Sequence, residues 1–173
     1  MTGPDRQFLK RAYRDTWDDG NRREMIVCSF LESLGFEVEL TGFMALSNEY
    51  NPASPPEKAI PDLAIYNNFG KKIWFEVTGT NNLPVSAKIW VRPDKVDFAK
   101  RHRSEGVTYL AHVITSRLLV RFVDLTNILE NRLSVIRAHV HGYIETFYAV
   151  PFQYVISMKK MRSKLMGWKN AYR

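Results

Sequence analysis

Cysteine is almost missing from this chain. Cys28 is the only one in 173 residues, so no disulfide can close within the chain and no cysteine-based zinc site can form. Long apolar runs are missing as well. None approaches the ~18 residues of a membrane-spanning helix, and no signal-peptide pattern opens the sequence. A reducing, cytoplasmic setting without a membrane is the resulting expectation. Internal repeats and low-complexity segments are also missing. Acid is in short supply: 25 Lys and Arg stand against 18 Asp and Glu, for a net charge of +7. From Met158 to the end there are Lys159, Lys160, Arg162, Lys164, Lys169 and Arg173 and no acid. This balance favours a polyanionic partner, nucleic acid before other classes.

What is present is enough apolar residue, 45% of the chain, to build a core of one ordinary domain. A short helix is expected within residues 1–19, broken by Gly20-Asn21. Val27, Phe30, Leu31 and Leu34 recur at helical spacing and Gly35 ends that second helix. Phe36–Phe43 alternates as a strand. Pro93 suits the first turn of a helix running to about His102, with Phe98, Ala99 and His102 inward. Val107–Ile114 and Leu118–Val123 read as strands. Leu129–Val140 reads as helix, and Tyr143–Ile156 as strand interrupted by Pro151. The order gives an α/β or α+β domain, a central mixed sheet flanked by helices.

Pro61-Asp62 and Glu76 are the informative pair. Leu63–Tyr66 and Ile73–Val77 flank the turn-like Asn67-Asn68-Phe69-Gly70, which makes a hairpin. Asp62 then stands at the start of one strand and Glu76 near the end of the next, side by side. Alternation places Trp74, Glu76 and Thr78 on one face. Two adjacent carboxylates are costly unless a cation sits between them. Mg²⁺ takes oxygen ligands and keeps several waters, which suits such a pair. Glu76 also interrupts an apolar strand, where an unpaired carboxylate would cost several kcal/mol. Glu24 lies on the apolar stripe of its helix, three residues before Val27. Acids are favoured in a first helical turn for dipole reasons, so Glu24 alone would mark only a helix start. Together the three carboxylates point to a metal site.

These residues resemble the PD-(D/E)xK nuclease superfamily, and within it the archaeal Holliday junction resolvases. Gly20-Asn21-Arg22-Arg23-Glu24 is similar to the Gly-x-x-x-Glu that opens their first helix. Ile60-Pro61-Asp62-Leu63 is similar to their Pro-Asp strand, and Trp74-Phe75-Glu76-Val77 to their metal-binding strand. Ala87-Lys88-Ile89-Trp90-Val91-Arg92 resembles their Gly-Lys-Ile-Tyr-Val-Arg stretch. The resemblance covers about residues 20–125, leaving 1–19 and 126–173 as extensions of a single domain. It implies a restriction-endonuclease-like fold and metal-dependent cleavage of DNA. It further implies Mg²⁺ or Mn²⁺ held by Asp62, Glu76 and the Val77 carbonyl, with Glu24 close by, and a homodimer.

One departure stands out. The family has lysine two residues after the strand glutamate, and this chain has Thr78, which can hydrogen-bond a water but carries no charge. Lys95 shares the inward stripe of its helix and is the preferred replacement; Lys88 is the second. If neither replaces it, the chain is a catalytically weakened DNA-binding protein on a nuclease fold. A serine that assists in the family corresponds to either Thr41 or Ser47. Arg22, Arg23, Lys71, Lys72, Lys88 and Arg92, with Lys100, Arg101 and Arg103, would hold DNA, branched DNA included. Tyr143–Ile156 is either a dimer interface or core. His139 and His141 share a face if they lie on a strand, but no third ligand is near. His102 and His112 read as hydrogen-bonded core residues. The basic tail either tracks nucleic acid or ends a solvated helix.

Overall fold

The computed structural model describes residues 6–41, 60–84, 87–140 and 143–171. In chain order these form α1 (Arg6–Glu32), β1 (Val38–Leu40), β2 (Leu63–Tyr66), β3 (Lys72–Thr80), β4 (Ile89–Val91) and α2 (Pro93–Arg101). There follow β5 (Gly106–Ile114), β6 (Leu119–Asp124), β7 (Ser134–Val140), β8 (Tyr143–Val150), β9 (Val155–Ser157) and α3 (Met158–Lys169). Six strands make a mixed sheet in the order β1-β2-β3-β5-β6-β9, in which only β3 and β5 run parallel. A second, antiparallel sheet is ordered β4-β8-β7.

The two faces of the large sheet carry different partners. Ile73 and Phe75 of β3, with Tyr109 and Phe122, meet Val27 and Leu31 of α1 and Met161 and Leu165 of α3. Leu110 and Val123, on the opposite face, meet Val96 and Ala99 of α2 and Ile89, Val91 and Val150 of the small sheet. Glu76 and Thr78 belong to this second face by alternation. They therefore look toward α2 and the small sheet.

α1 is one uninterrupted helix of 27 residues, not two segments separated at Gly20-Asn21. A glycine in a helix interior costs about 1 kcal/mol and does not by itself stop a helix. Asp19 and Arg23 span the glycine as an i,i+4 ion pair at 3.6 Å. The helix ends where Gly35 predicts. Its φ is +75°, its N–H donates to Glu32 O at 2.8 Å, and the Phe36 N–H donates to Leu31 O at 3.3 Å. This is the left-handed glycine stop that satisfies the last carbonyls of a helix.

The β2–β3 hairpin forms across Asn67–Gly70. Asn67 Oδ1 accepts the N–H groups of Phe69 at 3.0 Å and Lys71 at 2.9 Å, and Gly70 takes φ +74°. Leu63 pairs with Phe75, so the next residues outward, Asp62 and Glu76, end up beside each other.

Two further expectations need correction. Residues 129–140 are not helical: a 3-10 turn at Glu130–Arg132 leads into β7. Val135, Ile136 and Val140 are β-branched, and the segment satisfies its backbone by pairing along β8. The strand expected over Phe36–Phe43 is described only as Val38–Leu40, and residues 42–43 lie outside the described residues. The basic tail is α3, and two of its lysines have structural partners. Lys169 Nζ donates to Leu34 O and Gly35 O at 3.2 and 2.7 Å, tying the end of α3 to the end of α1. Lys164 lies 5.2 Å over the Tyr109 ring and 3.9 Å from Asp124. Among the described residues, no helix is long and apolar enough to cross a membrane.

Candidate active site

The C-terminal half of β3 carries the site. Asp62 Oδ2 accepts the Val77 N–H at 2.7 Å, which fixes its carboxylate against β3. Glu76 is 13% exposed and Lys95 11%, and Lys95 Nζ lies 2.8 Å from Glu76 Oε2. The approach is oblique: Glu76 Oε2 is buried and lacks an aligned hydrogen-bond donor. Pro93 opens α2, so Lys95 sits in its first turn. An ammonium there is opposed both by burial and by the helix dipole. Glu76, once ionised, offsets both.

Glu24, on α1, is 7% exposed, and its Oε2 is also buried without a hydrogen-bond partner. Burial, followed by the Asp62 charge, pushes its pKa up to about 7. Burial and the same neighbour push Glu76 up to about 8, against the opposing pull of Lys95 and Arg92. Asp62 is also raised by burial, and the Val77 N–H and Lys95 oppose the rise. Three carboxylates therefore hold protons more tightly in this fold than in water.

That has a consequence for stability. A folded-state pKa above the unfolded value favours folding at low pH and loses that contribution as pH rises through the folded value. For Glu24 and Glu76 the contribution is complete below about 4.5 and is lost through about 7 and about 8. His112 acts oppositely: burial and Arg121 lower its pKa to about 4, so its contribution is lost as pH falls from 6.5 toward that value. Between pH 6.5 and 9 the carboxylates dominate. Urea unfolding without divalent metal is expected to weaken across that window, by on the order of several kcal/mol. Millimolar Mg²⁺ should flatten the decline. Stability that is level or rises from pH 6.5 to 9 would contradict this account.

The donor set suits a hard divalent cation. Mg²⁺ is bound through one or two carboxylates while keeping waters, and Asp62 and Glu76 supply two. The unaligned Glu76 Oε2 is a buried acceptor of the kind such an ion satisfies. Among the described residues, however, no group of three or more His, Cys, Asp and Glu is placed to hold a metal ion. Glu24 is coupled by charge to Asp62 and, among the described residues, does not complete a three-carboxylate cluster.

A cleft of about 290 Å³ opens over Glu76 and Lys95, lined also by Thr78, Trp90, Arg92 and Phe147 among others; Asp62 and Glu24 are not among its lining residues. Thr78 is thus on the cleft wall with Glu76. Arg92 is half exposed and paired with Asp94 at 3.2 Å. Lys88 is exposed and lines an adjoining cavity. Thr41 Oγ1 donates to Pro61 O at 2.8 Å and its N–H to Asp62 O at 2.9 Å, bracing the Asp62 backbone. Ser47, the other candidate for that place, lies outside the described residues.

Several expected DNA contacts are not gathered at the cleft. Lys71 and Lys72 stand at the turn end of the hairpin, away from Glu76. Lys72 is 3.8 Å from Glu39 and lies over the Tyr66 ring at 5.0 Å. Arg23 faces Asp19 and Asn81, while Arg22 is exposed on α1. Lys100, Arg101 and Arg103 follow Lys95 toward the far end of α2, and Lys100 pairs with Glu130 at 2.7 Å. His102 stacks on Phe98 at 4.3 Å and its Nδ1 is 2.8 Å from Glu105. His139 is exposed on β7, and His141 lies outside the described residues.

Sequence reading missed Arg121. It is 2% exposed on β6, donates to Ala87 O at 2.7 Å, and has its Nη2 3.3 Å from His112 Nδ1. The signal was available: Arg121 interrupts Leu119–Val123 as Glu76 interrupts its own apolar strand.

No protein-family model matches the chain, and no curated protein matches it in sequence. Solved structures do. Archaeoglobus fulgidus Hjc, a Holliday junction resolvase from an archaeal hyperthermophile, superposes with a TM-score of 0.51 at 16% identity, over 83% of this chain and 99% of that one. D212, a nuclease from a fusselovirus, superposes with a TM-score of 0.50 at 17% identity, over 85% of this chain and 90% of that one. The fold of this chain, a mixed six-stranded sheet flanked by helices, is similar to the folds of these proteins.

Proposed function

We propose that this chain is a metal-dependent endodeoxyribonuclease, selective for branched DNA in the manner of a junction resolvase and acting as a cytoplasmic homodimer. The observation that carries the reading is the buried Asp62–Glu76 pair with Lys95 Nζ 2.8 Å from Glu76. Holding a largely buried carboxylate and ammonium in one cleft, with a second carboxylate beside them, is expensive for a purely structural purpose. The shared fold with two nucleases supports the same conclusion.

The reaction is hydrolysis of a phosphodiester. Water adds to phosphorus, one P–O ester bond breaks, and the leaving oxygen takes a proton. Asp62, Glu76 and the Val77 carbonyl would hold Mg²⁺ or Mn²⁺. Such an ion, when bound, lowers the pKa of a water and offsets charge on the phosphate. Lys95 supplies the fixed positive charge that the family places two residues after the strand glutamate. It stabilises the extra negative charge on the phosphate oxygens as the water attacks. The Thr78 hydroxyl orients that water by a hydrogen bond. Arg92, at the cleft mouth, contacts a neighbouring phosphate, and Lys88 extends the track. Arg22 on α1 and Lys71 and Lys72 at the hairpin turn bind phosphates further away. Glu24, where ionised, adds negative charge near Asp62 and so favours a cation there.

The test is cleavage of an end-labelled four-way junction beside a linear duplex of matched sequence, in Mg²⁺, Mn²⁺ or EDTA. Cutting in either metal and none in EDTA is expected, with paired symmetric nicks in the junction. Salt-sensitive junction binding with no cutting in any metal would overturn the enzyme and leave a DNA-binding protein.

A further inference from the structure

Beside the carboxylate cleft lies a second cavity of about 520 Å³, lined by Thr78, Thr80, Lys88, Trp90, His112 and Phe147 among others. It adjoins the first, since Thr78, Trp90 and Phe147 line both. Its walls are unlike those of the carboxylate cleft. No acid lines it among the described residues. Trp90 is 50% exposed, although it lies on a strand whose two neighbours, Ile89 and Val91, are buried. The Phe147 ring backs it, with centroids 5.8 Å apart and planes 36° from parallel. An indole half exposed among the described residues, with a second ring beside it, is a candidate stacking surface.

The floor is polar. Thr78, His112 and Arg121 are register partners across β3, β5 and β6. A guanidinium has no acceptor, so the 3.3 Å contact from Arg121 makes His112 Nδ1 the acceptor and leaves the ring proton on Nε2. Thr80 Oγ1 is buried with no hydrogen-bond partner. The cavity lining therefore combines an aromatic side chain, two threonines, a nearly buried imidazole and the exposed Lys88. Its volume falls within the roughly 300–1,000 Å³ of pockets that enclose small ligands.

We infer that this cavity receives one unpaired nucleobase of the bound strand, stacked on Trp90, with its phosphate held between Lys88 and the carboxylate cleft. The inference rests on the nucleic-acid reading above and deepens it. A base paired in a duplex cannot present its face to Trp90, so the site selects strands with splayed or unpaired nucleotides. Selection for branched DNA would then begin beside the scissile phosphate, within one protomer.

Binding in EDTA separates this from catalysis. Three fluorescent DNAs are compared by anisotropy: a blunt duplex, the same duplex with a single-stranded thymidine arm, and the same with an abasic arm. Wild type is expected to bind the thymidine arm about fivefold to a hundredfold tighter than the abasic arm. Trp90→Ala should bring the thymidine arm down to the abasic value and leave the blunt duplex and abasic arm unchanged. Trp90→Phe should keep most of the preference. Equal weakening on all three DNAs, or no arm preference in wild type, would overturn the inference. So would a Trp90→Ala protein whose sedimentation changes while its arm preference stays, because a second copy would then cover the stacking surface. Base-dependent coupling without any cleavage in metal would instead defeat the nuclease reading and leave this one standing.

Discussion

Replacing Glu76 with glutamine is expected to lower metal-dependent cleavage by about a thousandfold or more while leaving DNA affinity equal or improved. The magnitude follows from losing one of two carboxylates. Lewis-acid stabilisation is worth several kcal/mol, and each 1.36 kcal/mol is tenfold in rate. The sign on binding follows from charge, because a neutral amide no longer repels phosphates entering the cleft. Folding should survive. Burial and the Asp62 charge push Glu76 up to about 8, so near neutral pH the amide replaces a largely protonated carboxyl and leaves Lys95 little worse paired. The variant should therefore lose part of the stability decline between pH 6.5 and 9. Single-turnover cleavage, anisotropy and urea midpoints on the same preparation check all three. Activity within tenfold of wild type would remove Glu76 from the chemistry.

The hairpin was legible because its signals are local. Asn67 and Gly70 specify the turn, alternation specifies the faces, and the turn length sets the register that brings Asp62 beside Glu76. The position of Lys95, not its role, was legible from the 3.6-residue period of α2. The helix stop at Gly35 was legible for the same reason: one residue at φ +75° decides it. Gly20 misled because a glycine's price in a helix is small beside what the rest of the helix gains. Residues 129–140 misled because Ile, Leu and Val suit a short strand as well as a short helix.

The small sheet lay beyond any local pattern. β4 is three residues long and pairs with β8, some sixty positions later. That pairing carries Phe147 to Trp90. The Thr78–His112–Arg121 row likewise depends on β3, β5 and β6 becoming neighbours. No spacing in the sequence encodes it. What the sequence does contain is the anomaly of a charge inside an apolar strand. Glu76 and Arg121 are both such anomalies, and in both cases the cause is a partner brought in from elsewhere in the fold.

Lys95→Ala is expected to reduce cleavage by about a hundredfold to a thousandfold, the range typical of deleting one preorganised electrostatic group. Adding Thr78→Lys to that variant should recover at least about tenfold. Thr78 is two residues after Glu76 on the same face and lines the same cleft, so an ammonium there can reach the same phosphate. Lys95→Arg should recover less, since a planar guanidinium does not reproduce a compact ammonium at 2.8 Å from Glu76 Oε2. Stability supplies an independent readout. In the metal-free protein Glu76 gives up its proton only near pH 8, so the Lys95–Glu76 ion pair is complete only above that value. Lys95→Ala should thus destabilise little at pH 6 and considerably more at pH 9, where a lone buried carboxylate would remain. A loss of cleavage that Thr78→Lys does not relieve, together with a stability change independent of pH, would mean that Lys95 only packs α2 against β3. Relief by Thr78→Lys would mean that the charge matters and the strand or helix it comes from does not. The site would then be one chemical arrangement reached from two places in the same fold.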